Sequence, residues 1–251
     1  MSGLDVQAST VPCEGRAVEH LGSGQADVAP LRASAYVHGR DSYGIDAELV
    51  NGRFGSFAYR GQINVQASAG YTDVWGLQNT DFAAPDAGST SGYLAPYLLI
   101  SQTTGMTLSQ FFNDVSFSGD HNQVVRDVYN GVADCGASYE DARFAVLGEL
   151  PDVLSVVSVL TYTEFIPNEP WAFRPGLDTE GVQALVDSII FVADTPAGDT
   201  ALDTIFEYDL DGITVTQDST YDFVRDLVDA FGFDLTVCPP AAYLPLVVRN
   251  Y

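Results

Sequence analysis

Short β-rich segments alternate along this chain with helix-patterned ones, and few residues separate them. That alternation constrains the fold more than any other feature. Strand patterns fall at Leu4–Ser9, Ala26–Leu31, Ile45–Val50, Phe57–Gln66, Asp81–Ala84, Ala133–Ala137 and Val153–Thr163. Helical patterns fall at Glu14–Leu21, Ala33–Val37, Tyr71–Leu77, Leu108–Phe112, His121–Tyr129, Asp178–Ala193 and Tyr221–Phe231, with helix starts at Gly92 and Tyr139. Such an order predicts α/β layers built on a largely parallel sheet. A length of 251 residues suffices for one large domain or two small lobes. No linker-like stretch marks a boundary, which suits two lobes joined by strands that cross between them.

Charge narrows the function. The chain has 34 acidic residues against 10 basic ones, a formal charge of -24, and every basic residue is arginine. Nucleic acid and anionic lipid are disfavoured as partners, because each needs a basic face. A salt-adapted source and a biased genomic composition each explain acidity without lysine. No apolar run reaches the ~18 residues of a membrane helix. Met1 is followed by Ser-Gly-Leu-Asp-Val, without the basic and apolar regions of a secretory signal. The three cysteines, Cys13, Cys135 and Cys238, have no zinc-like spacing. Cys135 reads as a buried small hydrophobe. Pairing of Cys13 with Cys238 is open, and is the less favoured reading.

Four stretches carry chemistry. Asp86-Ala87-Gly88-Ser89-Thr90-Ser91-Gly92-Tyr93 lies between a strand and a helix. Free backbone N–H groups and the helix dipole favour an anion there, and hydroxyls add donors. Pro96 conflicts with a helix capped at Ser91, because it removes an early hydrogen bond. Gly119-Asp120-His121-Asn122 puts a histidine in a first helical turn, where the dipole lowers its pKa. Tyr59-Arg60-Gly61-Gln62 offers a phenol and a guanidinium fork, and Ile166-Pro167-Asn168-Glu169-Pro170-Trp171 reads as a stiff turn carrying a carboxylate. Taken singly, each has a plain structural explanation: a capped loop, a surface histidine, a rim tyrosine, a solvated glutamate.

Their order is more specific. The runs DAGSTSGYLAPYLL, SGDHNQVVRDVYNGVADCGASYEDAR and FIPNEPW follow LGSGQADVAPLRASAYV and FAYRGQINV and precede YDLDGITVTQDSTYDFVRDLV. The set resembles the phosphate/phosphite/phosphonate-binding receptors of ABC transporters over nearly the whole chain. The resemblance implies a two-lobed type 2 periplasmic-binding-protein fold, with residues 1–63 and 163–251 in one lobe and 64–162 in the other. It also implies a ligand cleft between the lobes. Ser89, Thr90, Ser91 and Gly92 would hold the oxyanion, Tyr59 and His121 would complete the cage, and Tyr139 and Asp141 would face the organic end. Glu169 stands where the family usually has aspartate. The expected ligand is phosphonate, phosphite or phosphate, delivered by a monomeric receptor to an ABC permease in a periplasmic or extracellular setting, with no cofactor or metal.

The chain also departs from the family. Pro30 and Arg32 are unusual in Asp27-Val28-Ala29-Pro30-Leu31-Arg32, and Arg32 could meet ligand or point to solvent. Family members usually begin with a strand, loop and helix ahead of the segment matching Leu4–Ser9. The sequence therefore reads as lacking that unit, with the apolar run Tyr243–Val248 as a candidate replacement strand and weakened binding as the consequence. Enzymatic use of Ser91, His121 and Asp141 lacks a Gly-x-Ser-x-Gly elbow. A ligand-sensing domain or a non-binding relative of the same fold is the alternative.

Overall fold

A computed structural model of the chain describes residues 6–11, 13–53, 55–206, 210–231 and 246–250. It divides into two units, Met1–Ala58 with Pro167–Tyr251 and Tyr59–Ile166. The first unit opens with β1 (Val6–Thr10), α1 (Glu14–Gly22), β2 (Val28–Pro30), α2 (Ala33–Tyr43) and β3 (Asp46–Gly52). Ala17, Val18 and Leu21 form the buried stripe of α1. The helix α2 runs past Val37 to a left-handed C-cap at Gly44, with φ 72°. At Gly39 a side chain would collide with Ile45 and crowd Val18, so glycine is what lets these elements pack closely.

The second unit follows as β4 (Ala58–Gln66), β5 (Asp81–Ala84), α3 (Ala95–Thr104), α4 (Leu108–Phe111), β6 (Asp114–Phe117), α5 (His121–Asn130), β7 (Cys135–Tyr139), α6 (Ala142–Ala145), α7 (Val153–Val156) and β8 (Val157–Pro167). Its sheet has the order β6-β5-β7-β4-β8. The strands β6, β5 and β7 run parallel, and β4 is antiparallel to β7. Ile63, Leu77, Phe82, Ile100 and Phe111 make its main core and are fully buried. Each such side chain contributes about 1.5–3 kcal/mol by leaving water. The chain passes between units at Ala58/Tyr59 and Ile166/Pro167, a few residues outside the 63/64 and 162/163 positions expected, so that β4 lies almost wholly in the second unit.

The chain then returns to the first unit with β9 (Pro170–Phe173), α8 (Thr179–Ala193), α9 (Pro196–Phe206), β10 (Gly212–Val215), α10 (Asp222–Phe231) and β11 (Leu246–Asn250). The sheet order is β1-β11-β2-β9-β3-β10. Every neighbouring pair in it is antiparallel, contrary to the largely parallel sheet expected. The reason is topological. The strands β2 and β3 do run in the same direction, but β9 returns from far along the chain and inserts between them. Phe173 sits opposite Val28 on one side and Asp46 on the other. Trp171 and Phe173 then pack with Val28, Leu49, Leu185, Leu202 and Phe206.

Other local readings also shift. Val153–Val156 is a helical turn and the strand begins at Val157. Only Val74–Leu77 of the expected 71–77 helix is helical, as a 3-10 turn. The stiff turn at 166–171 is the end of β8 and the start of β9. The tail carries β11, and β6, α9 and β10 have no counterpart among the expected elements. Leu4, Asp5, Gly232 and Tyr243–Pro245 lie outside the described residues. The strand β11 occupies the place proposed for a replacement strand: it pairs with β1 from Val6↔Asn250 to Thr10↔Leu246 and with β2 at Val28↔Val248. Cys13 is disulfide-bonded and Cys135 is a free, buried thiol. Cys238 lies outside the described residues. Among those residues, no helix is long and apolar enough to cross a membrane.

Candidate functional site

In the second unit, chain direction brings several loops to one sheet edge. The parallel strands β5, β6 and β7 end at Ala84, Phe117 and Tyr139. The segments after them, 85–92, 118–121 and 140–141, therefore leave from the same edge, where open α/β sheets commonly bind ligands. Because β4 is antiparallel to β7, its start at Tyr59 lies at this edge too. Ser118 N–H donates to Ala84 O at 2.8 Å and Gly119 N–H to Pro85 O at 2.9 Å, which binds two of these segments together.

The loop after β5 is folded by its own polar groups. Asp86 Oδ1 accepts from Gly88 N–H at 2.8 Å. Ser89, not Ser91, is the N-cap, and its Oγ accepts from Gly92 N–H at 3.1 Å. Thr90–Leu94 is a π-helical turn, in which Leu94 N–H reaches back to Ser89 O at 3.0 Å. This wider turn resolves the conflict with Pro96, because the α-helix proper starts at Ala95 and proline falls in its first turn, where no N–H is needed. The first-turn N–H groups of Thr90 and Ser91 meet no acceptor among the described residues.

Gly61 explains how closely β4 approaches this turn. A Cβ there would strike the carbonyl of Ser91. The Cα–H side of Gly61 therefore faces the loop. Strand alternation puts the Tyr59 side chain on the same face, and Tyr139 shares it as Gly61's cross-strand partner. Gly61 N–H donates to the buried Thr163 Oγ1 at 2.9 Å.

His121 joins the loop to β7. It opens α5, where Asp120 is the N-cap and accepts from Gln123 N–H at 2.9 Å. Its Nδ1 accepts from Tyr139 N–H at 3.2 Å, and its ring packs edge-on against Tyr139 at 5.0 Å. Burial holds its pKa below 6.5, although Asp86 and Asp120 pull the other way. The imidazole is therefore neutral, with its proton on Nε2, which lies 3.3 Å from Ser89 Oγ. With His121 and Gly92 both donating to Ser89, the Ser89 hydroxyl hydrogen is left to donate elsewhere.

The edge thus gathers Tyr59, Ser89, Thr90, Ser91, Gly92, His121, Tyr139 and Asp141 in the second unit. Glu169 belongs to the first unit, just before β9, where its carbonyl accepts from Asn51 N–H at 3.1 Å. Arg60 is not a free oxyanion fork. Its guanidinium pairs with Glu140 at 2.8 Å and lies 3.8 Å above the Tyr162 ring. Arg32 is 60% exposed, its backbone N–H donating to Glu14 at 2.8 Å. Sequence reasoning passed over Gly61, Gln62, Asn64, Ser138 and Thr163. A glycine inside a strand pattern is a signal of close backbone approach, and it was present in Tyr-Arg-Gly-Gln. Among the described residues, no group of side chains is arranged to hold a metal ion.

The chain matches known proteins in both sequence and fold. A family model described as ABC transporter, phosphonate, periplasmic substrate-binding protein matches residues 1–221. The fold is similar to a binding protein component of an ABC phosphonate transporter from Pseudomonas aeruginosa, at 16% identity and TM-score 0.58 over 86% of this chain and 72% of that one. It is also similar to PhnD1 from Prochlorococcus marinus, solved with methylphosphonate, at 17% identity and TM-score 0.59 over 88% and 84%. A Xanthomonas citri protein solved with ATP aligns at 19% identity and TM-score 0.64 over 87% and 82%.

Proposed function

The chain belongs to the periplasmic substrate-binding proteins of phosphonate ABC transporters, and on that premise we propose that the edge built by Ser89–Gly92 captures the phosphonyl group of its ligand. Phosphonate, phosphite and phosphate share the tetrahedral oxyanion that such a site reads. The observation that carries the reading is the turn at 89–92. It offers two N–H groups with no acceptor among the described residues, three hydroxyls, and a neutral histidine that frees the Ser89 proton.

The chain's charge makes local donors necessary. At -24 the protein repels anions at long range, and salt screens that repulsion beyond about 8 Å. Affinity must come from preorganised donors at contact distance. None of the residues grouped at the edge is an arginine or lysine, which fits such a mechanism. Tyr59 adds a phenol, and Tyr139 and Asp141 form the wall toward the organic substituent. The protein acts as a monomeric receptor for an ABC permease and performs no chemistry on its ligand.

Isothermal calorimetry with methylphosphonate, phosphite and phosphate tests this directly. Tight binding of at least one, weakened about 5- to 100-fold by Thr90→Val, is the expected result. If none of the three binds, the assignment fails.

A further inference from the structure

Behind the ligand edge, the opposite face of β4 and β7 carries a polar chain instead of apolar packing. Gln62, Asn64 and Ser138 are each fully buried. Gln62 Nε2 donates to Asn64 Oδ1 at 3.0 Å and to Ser138 Oγ at 3.3 Å. Asn64 Nδ2 donates to the same hydroxyl at 2.9 Å, and that hydroxyl donates to Tyr139 O at 3.1 Å. These bonds use every lone pair and proton of Ser138. They also orient the Gln62 amide, because turning it over would set its oxygen against two acceptors' positions and its nitrogen against a donor. The outward atom is thus Gln62 Oε1, which accepts from Asp141 N–H at 3.1 Å.

Asp141 needs such a hold. Its φ of 64° is left-handed, one of two such non-glycine positions among the described residues. It makes no side-chain cap bond to α6, and its carboxylate, 53% exposed, lies 3.7 Å from the Arg143 guanidinium of that helix. A left-handed aspartate is strained unless its surroundings fix it, and strain of this kind concentrates at binding sites. The adjoining Glu140 N–H donates to Arg60 O at 2.8 Å, so the turn is pinned to β4 at two successive amides.

We infer that Gln62, locked by Asn64 and Ser138, is a positioning residue that holds Asp141 at the ligand edge and so sets the preference among phosphonate substituents. The inference rests on the reading of Asp141 as a wall of the ligand site. A phosphonate's oxyanion would meet the 89–92 turn, whereas its substituent would meet Asp141. Disturbing Gln62 therefore separates the two.

The test compares wild type, Gln62→Met and Asp141→Asn by calorimetry with phosphate, methylphosphonate and aminoethylphosphonate, whose cationic substituent probes the carboxylate. Gln62→Met keeps the shape and removes both polar atoms. The expected result is that Gln62→Met and Asp141→Asn each lower the preference for aminoethylphosphonate over methylphosphonate about tenfold, with the phosphate affinity of Gln62→Met changed less than about twofold. Hydrogen exchange without ligand supplies a second reading: the Asp141 amide should be protected in wild type and lose at least about tenfold protection in Gln62→Met. If Asp141→Asn shifts the preference and Gln62→Met does not, or if Gln62→Met weakens all three ligands equally, the positioning role is overturned and the ligand site stands. If Asp141→Asn leaves the preference unchanged, Asp141 is not a wall of the site and both readings fail together. An Asp141 amide that exchanges equally fast in both proteins overturns the hold itself.

Discussion

In the first unit a cluster of part-exposed charges ties α2 to β3 and α10, while in the second a buried chain of neutral groups ties β4 to β7. Asp218 accepts from the Tyr36 hydroxyl at 2.7 Å and pairs with Arg225 at 2.9 Å and Arg40 at 3.7 Å. Arg40 in turn pairs with Asp46 at 2.9 Å. The four charged side chains are about a quarter to a half exposed, so water and salt share in their solvation. The Gln62–Asn64–Ser138 chain is fully buried and carries no charge. Ionic links at a wet surface contribute modestly and respond to salt and pH. Dry neutral links are costly to break and largely indifferent to either. Beside the proposed oxyanion site, β4 and β7 are thus tied by groups that a change of ionic strength leaves alone.

The largest effect should follow Gly61→Val. Its side chain must displace the Ser91 carbonyl, so unfolding by denaturant should show a loss of about 3 kcal/mol and calorimetry the loss of ligand binding. If both remain at wild-type values, the close approach of β4 to the turn is refuted. Next comes Ser138→Val, which strands the Asn64 amide and should cost about 2 kcal/mol, with the same loss at low and high salt. Asp218→Asn should cost less, about 1 kcal/mol, and the loss should shrink when salt is added. A salt response of equal size in the two variants would erase the contrast between the units.

The smallest effect is an opposed response to mild acid. Burial lowers the His121 pKa below 6.5, so the unfolded chain takes up that proton more readily and the second unit loses stability as pH falls through the histidine range. Burial raises the pKa of Glu14 above 4.5 despite the nearby Arg32, and that of Glu48 likewise. Each of these binds its proton more tightly when folded, so the first unit gains stability as pH falls toward 4.5. Asp218, held below 3.8 by Tyr36 and Arg225 against the effect of burial, contributes until the pH drops under that value. Hydrogen exchange at pH 7 and pH 5 should therefore show slower opening of the first unit and faster opening of the second. Parallel changes would show that these groups do not govern the response.

What the sequence disclosed follows from how local each feature is. Asp81–Ala84 is a strand as expected, and α5 begins at His121 behind its Asp120 cap and stops at Gly131, because capping and periodicity act within a few residues. The edge of the second unit was legible as a set of small polar loops. Its geometry was not, since Gln62 meets Ser138 across 76 positions of the chain. β9 was hidden for a related reason. Pro170 suggested a turn, yet proline is allowed as the first residue of a strand, and only the distant β2 and β3 make that segment a strand at all. The cap at Ser89 was missed because a π turn cannot be told from an α turn by composition.

The place of β11 bears on how the protein is made. Tyr59–Ile166 is continuous and can be complete as soon as it leaves the ribosome. The first unit must wait about 80 residues longer for Leu246–Asn250, or about 4 to 16 s at the usual ~5–20 residues per second of synthesis. Throughout that interval β1 and β2 lack the strand that later lies between them, so each presents an open edge. Arrival of β11 closes both of these edges in one step. Translation speed over residues 167–250 then decides how long a nascent chain remains open to pairing with its neighbours, and slowing it should raise the aggregated fraction without altering the finished fold.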